Sequence, residues 1–246
     1  MYDSFYNLGF QIFENVLTEE ETKSYKERLS KVYDQQIDEF GLDNLSLIDE
    51  ENMVRSPFLY DSSFINIFYN DFVNNLVTSI LGKFAILSLQ NGIVLRSNTE
   101  HHQSFFHRDL IYQNFTTSKP ISINIYYCLD DYDIKNGGTT FMIGSHKKEY
   151  FINEGEQITP KIKSGSVILF DSMLFHKAGS NTSSRDRFGI NNMFTLPFIK
   201  QQINYSNILK PTNDQKLNQF LGFKSREFFD VKDFRNYRLN RMLNEQ

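Results

Sequence analysis

Apolar residues recur at helical spacing in the first third of the chain and at strand spacing through its middle. Thr18-Glu19-Glu20-Glu21 has the form of a capping box, in which a threonine and a glutamate three positions on satisfy each other's backbone N–H. Tyr25, Leu29, Val32 and Ile37 then fall near a period of 3.6 and predict a helix. Phe64, Phe68, Phe72, Leu76 and Ile80, at steps of four, predict a second helix over 63–81 that Gly82 ends. From residue 84, short β-branched and aromatic runs alternate with Gly, Asn, Asp and Ser clusters. They predict strands at 84–89, 93–96, 103–107, 121–129, 139–143, 157–162, 166–170 and 188–196. Short strands at this spacing read as an all-β sandwich or barrel, here with helices packed outside. The last forty residues return to helix and loop, where Arg235, Arg238 and Arg241 predict a solvated helix face rather than a phosphate site. The expected organisation is a single domain over 1–246, with helical support over 1–83, a strand core over 84–200 and an extension over 201–246.

Charge narrows the partners. Lys plus Arg is 26 and Asp plus Glu is 30, a net charge of −4. A nucleic-acid binder needs a basic footprint to neutralise phosphates, so no nucleic-acid partner is expected. The acidic stretch 38–51 holds six acids and no Lys or Arg, and reads as a solvated loop or lid. Cys128, the one cysteine, excludes an internal disulfide framework and fits a reducing compartment. The opening Met1-Tyr2-Asp3-Ser4 has no basic n-region or apolar h-region, and no apolar run approaches the roughly 20 residues of a spanning helix. A soluble, cytoplasmic protein with no membrane partner is expected, of open oligomeric state. The 24 Phe and 13 Tyr supply bulk for a sizeable core.

Five histidines set the candidate chemistry. His107-Arg108-Asp109 places an imidazole and a carboxylate two positions apart, and on a strand such residues share one face. His176, after the strand at 166–170, can supply a third ligand from a neighbouring strand. Two imidazoles and one carboxylate on one face of a metal, with positions left open, form the facial triad of non-haem Fe(II) oxygenases. Arg187 opens the strand after His176. Pointing inward, its planar fork suits a carboxylate; pointing outward, it pairs with Asp186. His101 and His102 read as entrance or solvent positions, since His102 alternates away from His107. Tyr112 and Phe115 lie just past the triplet and read as pocket walls or core.

The stretch from about Leu87 to Gln202 resembles the phytanoyl-CoA dioxygenase family. The matching segments run from Phe106 to Asp109, from Asn136 to His146, and from Gly165 to His176, and the pattern continues from Asn181 to Arg187. Leu8-Gly9-Phe10 with Val16-Leu17-Thr18 is similar to the family's N-terminal segment. The resemblance implies a double-stranded β-helix, mainly β with flanking helices and a jelly-roll, cupin-like core. It implies Fe(II) held by His107, Asp109 and His176, and 2-oxoglutarate whose distal carboxylate Arg187 holds. It also implies dioxygen as co-substrate and ascorbate as an accessory reductant. Ile143 replaces the family's usual proline in a turn where His146 reads as structural. Many members carry serine two residues past the distal histidine, where this chain has Ala178. Either another polar group must then assist Arg187, with Gln90 and Asn124 the candidates and each equally an amide satisfying backbone groups, or the co-substrate binds more weakly.

The expected function is a dioxygenase that hydroxylates an aliphatic C–H of a small polar biosynthetic metabolite. Two alternatives stay open: a cupin-like isomerase without 2-oxoglutarate, against which Arg187 argues, and a non-catalytic binding barrel, against which the triad argues. A halogenase is disfavoured because Asp109 fills the position a halide needs. An acyl-CoA substrate is disfavoured by the acidic stretch, with only Arg96, Arg108 and Lys119 near the expected mouth as phosphate partners.

Overall fold

The computed structural model describes residues 2–99, 103–110, 115–151 and 155–244. The chain opens with helix α1 (Asp3–Leu8), strand β1 (Phe10–Phe13), helices α2 (Glu19–Phe40) and α3 (Leu42–Leu47), and strand β2 (Met53–Arg55). Helices α4 (Ile65–Phe68) and α5 (Asp71–Leu81) follow. Next come β3 (Ile86–Leu95), β4 (Ser122–Cys128), β5 (Thr140–Met142), β6 (Gln157–Ile158), β7 (Val167–Asp171), β8 (His176–Lys177) and β9 (Arg187–Thr195). Helices Tyr205–Ile208, Gln215–Phe220 and Val231–Asn244 follow the strands. Among the described residues no helix is long and apolar enough to cross a membrane.

The strands form a six-stranded antiparallel sheet, β1-β7-β4-β9-β3-β2, and a three-stranded sheet, β6-β5-β8. Together they make a double-stranded β-helix with helices on one outer face. The larger sheet buries both faces, so its side chains divide by alternation. Ile123, Ile125 and Tyr127 of β4, with Ile190 and Phe194 of β9, pack toward Leu29, Val32, Phe68, Val73 and Val77 of the helices. Tyr126, Cys128, Ile93, Leu95, Ile168 and Phe170 face the other way and meet Phe141 of the small sheet. A bulge between Leu87 and Leu89 resets the alternation in β3, so Leu87 joins the helical core while Leu89 faces the interior.

Helix α2 begins at the expected capping box, with Glu21 N–H donating to Thr18 Oγ1 at 3.2 Å and Thr18 N–H to Glu21 Oε2 at 2.8 Å. It lies close against β3 because residue 92 is glycine: a Cβ there would sit 2.3 Å from Leu29 Cδ1. The second expected helix is broken. Asn70 leaves the helical region and caps α5, its side chain accepting from Val73 N–H at 2.9 Å. Gly82 ends α5 at φ +86 as expected.

Other expectations also shift. The runs at 84–89 and 93–96 are one strand, β3, since pairing with β9 carries the chain straight through Gln90-Asn91-Gly92. The strand at 157–162 shrinks to β6 and a lone bridge from Ile162 to Tyr132, because Pro160 removes a ladder donor. The acidic stretch 38–51 is mostly helical, ending α2 and forming α3. The edge strands β1 and β2 were not expected. Arg235, Arg238 and Arg241 are exposed on the helix Val231–Asn244, as read.

Gln90 is a joint of this fold rather than a cavity residue. Its side chain is fully buried, accepting from Phe58 N–H at 3.1 Å and donating to Phe64 O at 3.0 Å and Asn192 Oδ1 at 2.9 Å. It ties the sheet to the turns that lead into α4. Leucine of similar size orphans those buried groups, each costing about 1–3 kcal/mol. Gln90→Leu is therefore expected to lower unfolding stability by at least about 2 kcal/mol in equilibrium denaturation, with metal affinity unchanged.

Candidate metal centre

His107, Asp109 and His176 converge. One ligand atom from each lies within 4.8 Å of the others, and His176 Nε2 is 3.7 Å from Asp109 Oδ1. The expected strand at 103–107 is absent; His107 makes only an isolated bridge with His176, each backbone N–H donating to the other's carbonyl at 3.0 Å. Asp109 N–H donates to Ser172 O at 3.1 Å. Two residues on one side thus span four on the other, where the turn after Asp171 interrupts the ladder. Backbone pairing still sets the two imidazoles opposite each other, 4.4 Å between ring centroids.

Outer partners fix how each ligand faces. His107 Nδ1 is 3.1 Å from Phe105 O and His176 Nδ1 is 2.9 Å from Leu174 O. A carbonyl only accepts, so both Nδ1 atoms carry hydrogen and both Nε2 lone pairs are left for a metal. Phe170 packs against the His176 ring at 4.9 Å. Asn124 Nδ2 donates to Asp109 Oδ2 at 2.6 Å and to Ser172 Oγ at 2.9 Å, while its Oδ1 accepts from Asn191 Nδ2 at 2.8 Å. Asn124 is thus a positioning residue: it occupies one carboxylate oxygen and turns Oδ1 toward the imidazoles.

The triad opens on a cavity of about 270 Å³ lined by Met53, Arg55, Asn91, Tyr126, Arg187 and Asn191 among others. Arg187 is 2% exposed, and its Nε and Nη1 have no hydrogen-bond partner among the described residues. Its guanidinium lies 4.3 Å over the Tyr132 ring. Asp186 is not its partner; that carboxylate accepts from Arg96 at 2.7 Å and from Ser97 N–H at 2.8 Å. Inward orientation follows from alternation, since Arg187, Asn191 and Met193 all line the cavity.

Of the remaining candidates among the described residues, Arg108 lines the cavity and the others do not. Neither Gln90 nor Asn124 is among the residues lining the cavity; Gln90 bonds Phe58 and Asn124 bonds Asp109. Arg108 is buried and donates to the carbonyls of Met173, Glu149, Ser145 and Lys148. Lys119 lies in a different hollow, beside Asp171 and His146. His146 sits near Tyr6 O at 3.3 Å, away from the triad. Phe115 is exposed and outside the cavity lining. His101, His102 and Tyr112 lie outside the described residues. Sequence reading missed Tyr126, Asn91, Asn191 and Arg55. The first three follow from counting in twos along β4, β3 and β9; Arg55, on an unexpected edge strand, had no such signal.

A family model described as phytanoyl-CoA dioxygenase matches residues 5–189. The uncharacterized protein Rv1501 of Mycobacterium tuberculosis is 31% identical over 253 residues, covering 94% of this chain and 91% of its own length. Dioxygenase olcK of Penicillium canescens is 28% identical over 117 residues, 45% of this chain and 36% of its own. Among solved structures, EctD from S. alaskensis with bound Fe aligns at TM-score 0.64 and 13% identity, over 80% of this chain and 75% of that one. ThoJ, a non-heme monooxygenase in its apo form, aligns at 0.63 and 17%, over 82% and 79%. At such identities the structures show the fold alone, while the family model spans most of the chain. With its His-Asp-His cluster in place, the protein belongs to the phytanoyl-CoA dioxygenase family of non-haem iron oxygenases.

Proposed function

We propose that the protein is an Fe(II)- and 2-oxoglutarate-dependent dioxygenase that hydroxylates an aliphatic C–H of a small polar metabolite. The observation that carries this reading is Arg187, a buried cation on the wall of the same cavity as the triad, whose Nε and Nη1 have no hydrogen-bond partner among the described residues. A buried charge is tolerated when something pairs with it, and a ligand carboxylate fits its planar fork. His107, Asp109 and His176 would hold the iron, two neutral imidazoles and a carboxylate being a suitable donor set. When bound, iron supplies the dioxygen chemistry that attacks an unreactive C–H bond.

The chain's own part is orientation and exclusion. The Nδ1–H to carbonyl bonds keep both imidazoles in the ligating tautomer. Asn124 and Asn191 hold Asp109 to one outward oxygen, which leaves coordination positions open. Met53, Leu89, Ile93, Phe170 and Met193 wall the cavity with apolar surface and keep water from the reacting C–H. The isomerase alternative leaves Arg187 without a purpose, and the binding-barrel alternative leaves the tautomer bonds without one. Cytoplasmic location and ascorbate as reductant stay part of this proposal.

The cation inventory bears on the substrate. Arg108 spends its donors on backbone carbonyls, Arg96 pairs with Asp186, and Arg55 pairs with Glu50 from the acidic stretch. None of these three is free to receive a coenzyme diphosphate. A cavity of about 270 Å³ also suits a small molecule.

Three outcomes are expected. His176→Ala and Asp109→Ala abolish iron binding in a metal titration without unfolding the protein, and Asn124→Ala weakens it by about 10–100-fold; stoichiometric iron in a His107→Ala/His176→Ala double variant refutes the assignment. Arg187→Met keeps iron but weakens 2-oxoglutarate by roughly two to three decades or more, read by calorimetry. Succinate release with Fe(II), ascorbate and 2-oxoglutarate occurs with polar small metabolites and not with straight or branched acyl-CoA esters; coupled hydroxylation of any acyl-CoA overturns the substrate reading.

A further inference from the structure

The last helix, Val231–Asn244, lies beyond the residues 5–189 that the family model matches, and none of its residues lines the cavity. Side chains on a helix turn by about 100° per residue, which divides this one into two unlike sides. One side is held by the segment before it. Asp233 accepts from Arg226 Nη1 at 2.8 Å, from Arg226 Nη2 at 2.7 Å and from Phe229 N–H at 3.0 Å. The Phe228 ring packs against Phe234 at 5.1 Å and Tyr237 at 5.2 Å.

The opposite side carries Val231, Leu239, Met242 and Leu243, each more than half exposed. Lys232, Arg235 and Arg238 alternate with them, with no acid between. None of these three cations has an ion-pair partner among the described residues. A helix side that is apolar and basic at once fits a partner that is apolar and acidic.

The chain carries such a surface itself. Leu42, Leu47 and Ile48 are exposed in and just after α3, Leu47 by 83%, and Phe40 is exposed at the end of α2. Asp38, Asp43 and Asp49 are interspersed and exposed, and no Lys or Arg occurs over 38–51. The two surfaces are exposed in one and the same chain, so they do not cover each other within it. Glu50, just after α3, pairs with the cavity-lining Arg55, so a partner seated on α3 is one ion pair from the cavity.

We infer that the chain self-associates: the basic, apolar side of the last helix of one copy docks on the acidic, apolar surface around α3 of a second copy. The exchange is reciprocal and closes as a two-fold dimer; repeated one way only, the same contact would grow a filament. One helix of 14 residues covers little surface, and reciprocity doubles it toward the roughly 1,200–2,000 Å² of stable interfaces. An anionic membrane is the rival occupant for a basic amphipathic helix. It leaves the exposed acidic surface around α3 without a role, whereas a second copy covers both.

The test is the mass of the full chain by light scattering and sedimentation, with circular dichroism to check the fold of each variant. Twice 29.0 kDa is expected for the unaltered chain. Arg235→Glu/Arg238→Glu and Asp43→Lys/Asp49→Lys are each expected to weaken association at least about tenfold, because like charges then meet. Combining all four substitutions is expected to restore the dimer, since opposite signs face each other again. Mere loss of local structure would not be rescued in this way. The inference is overturned if the unaltered chain stays monomeric up to about 0.1 mM, if its mass climbs past the dimer, or if the combined variant remains monomeric. A monomer that cosediments with phosphatidylserine vesicles and loses them in Arg235→Glu/Arg238→Glu replaces it with the membrane reading.

Discussion

A sheet buried on both faces must serve two chemistries at every second residue, and the site of this protein follows from that constraint. The outward positions of β4 and β9 carry Ile123, Ile125, Ile190 and Phe194, which hold the helices. The inward positions between them carry Asn124, Tyr126, Arg187 and Asn191. A slip of register by one residue would exchange the two sets and destroy core and cavity together. The apolar packing of the helical layer thus also stabilises the placement of the polar groups opposite it, although no helix among the described residues supplies a triad ligand.

Polar groups placed inside such a barrel must be paired, and most are paired in ways that leave one atom of each facing the cavity. Carbonyls of Phe105 and Leu174 occupy the far nitrogens of the imidazoles. Asn124 occupies the far oxygen of Asp109 and is itself held by Asn191. Arg108, one residue from two of the triad members, shows the opposite outcome: four of its N–H donors go to backbone carbonyls, so it braces loops. Against this pattern of completed bonds, the free donors of Arg187 stand out as unfinished.

Much of this was legible in the sequence, for reasons that differ by residue. His107, Asp109, His176 and Arg187 could be named because a His-x-Asp pair, a later histidine and then an arginine follow one another in the order that the family resemblance also carries. Their convergence was expected from strand alternation, but a backbone bridge and a bond to Ser172 produce it instead. Asn124 was singled out as polar lining, and the structure gives it to Asp109, since a buried amide serves the nearest unsatisfied charge. Gln90 looked equivalent, yet it lies on the other face of β3, where it serves Phe58 and Phe64. The bulge after Leu87 hides that difference, because it shifts the parity by which inward residues are counted. The gap between the strands expected at 84–89 and 93–96 has a related cause: the extended form of Asn91-Gly92 is imposed by β9, distant in the chain.

Gly189 carries a consequence for how such a site can change over time. Its bare backbone and the phenols of Tyr126 and Tyr132 fill one volume, since a Cβ at 189 would lie 2.3 Å from both phenolic oxygens, so the three positions form an epistatic unit. A side chain at 189 is admissible only after both hydroxyls have gone, and either phenol is admissible only while 189 stays bare. Stepwise drift from one solution to the other passes through a clash or a hole. A lineage that once settled on the aromatic arrangement is held there by geometry, independently of which substrate it later acquires.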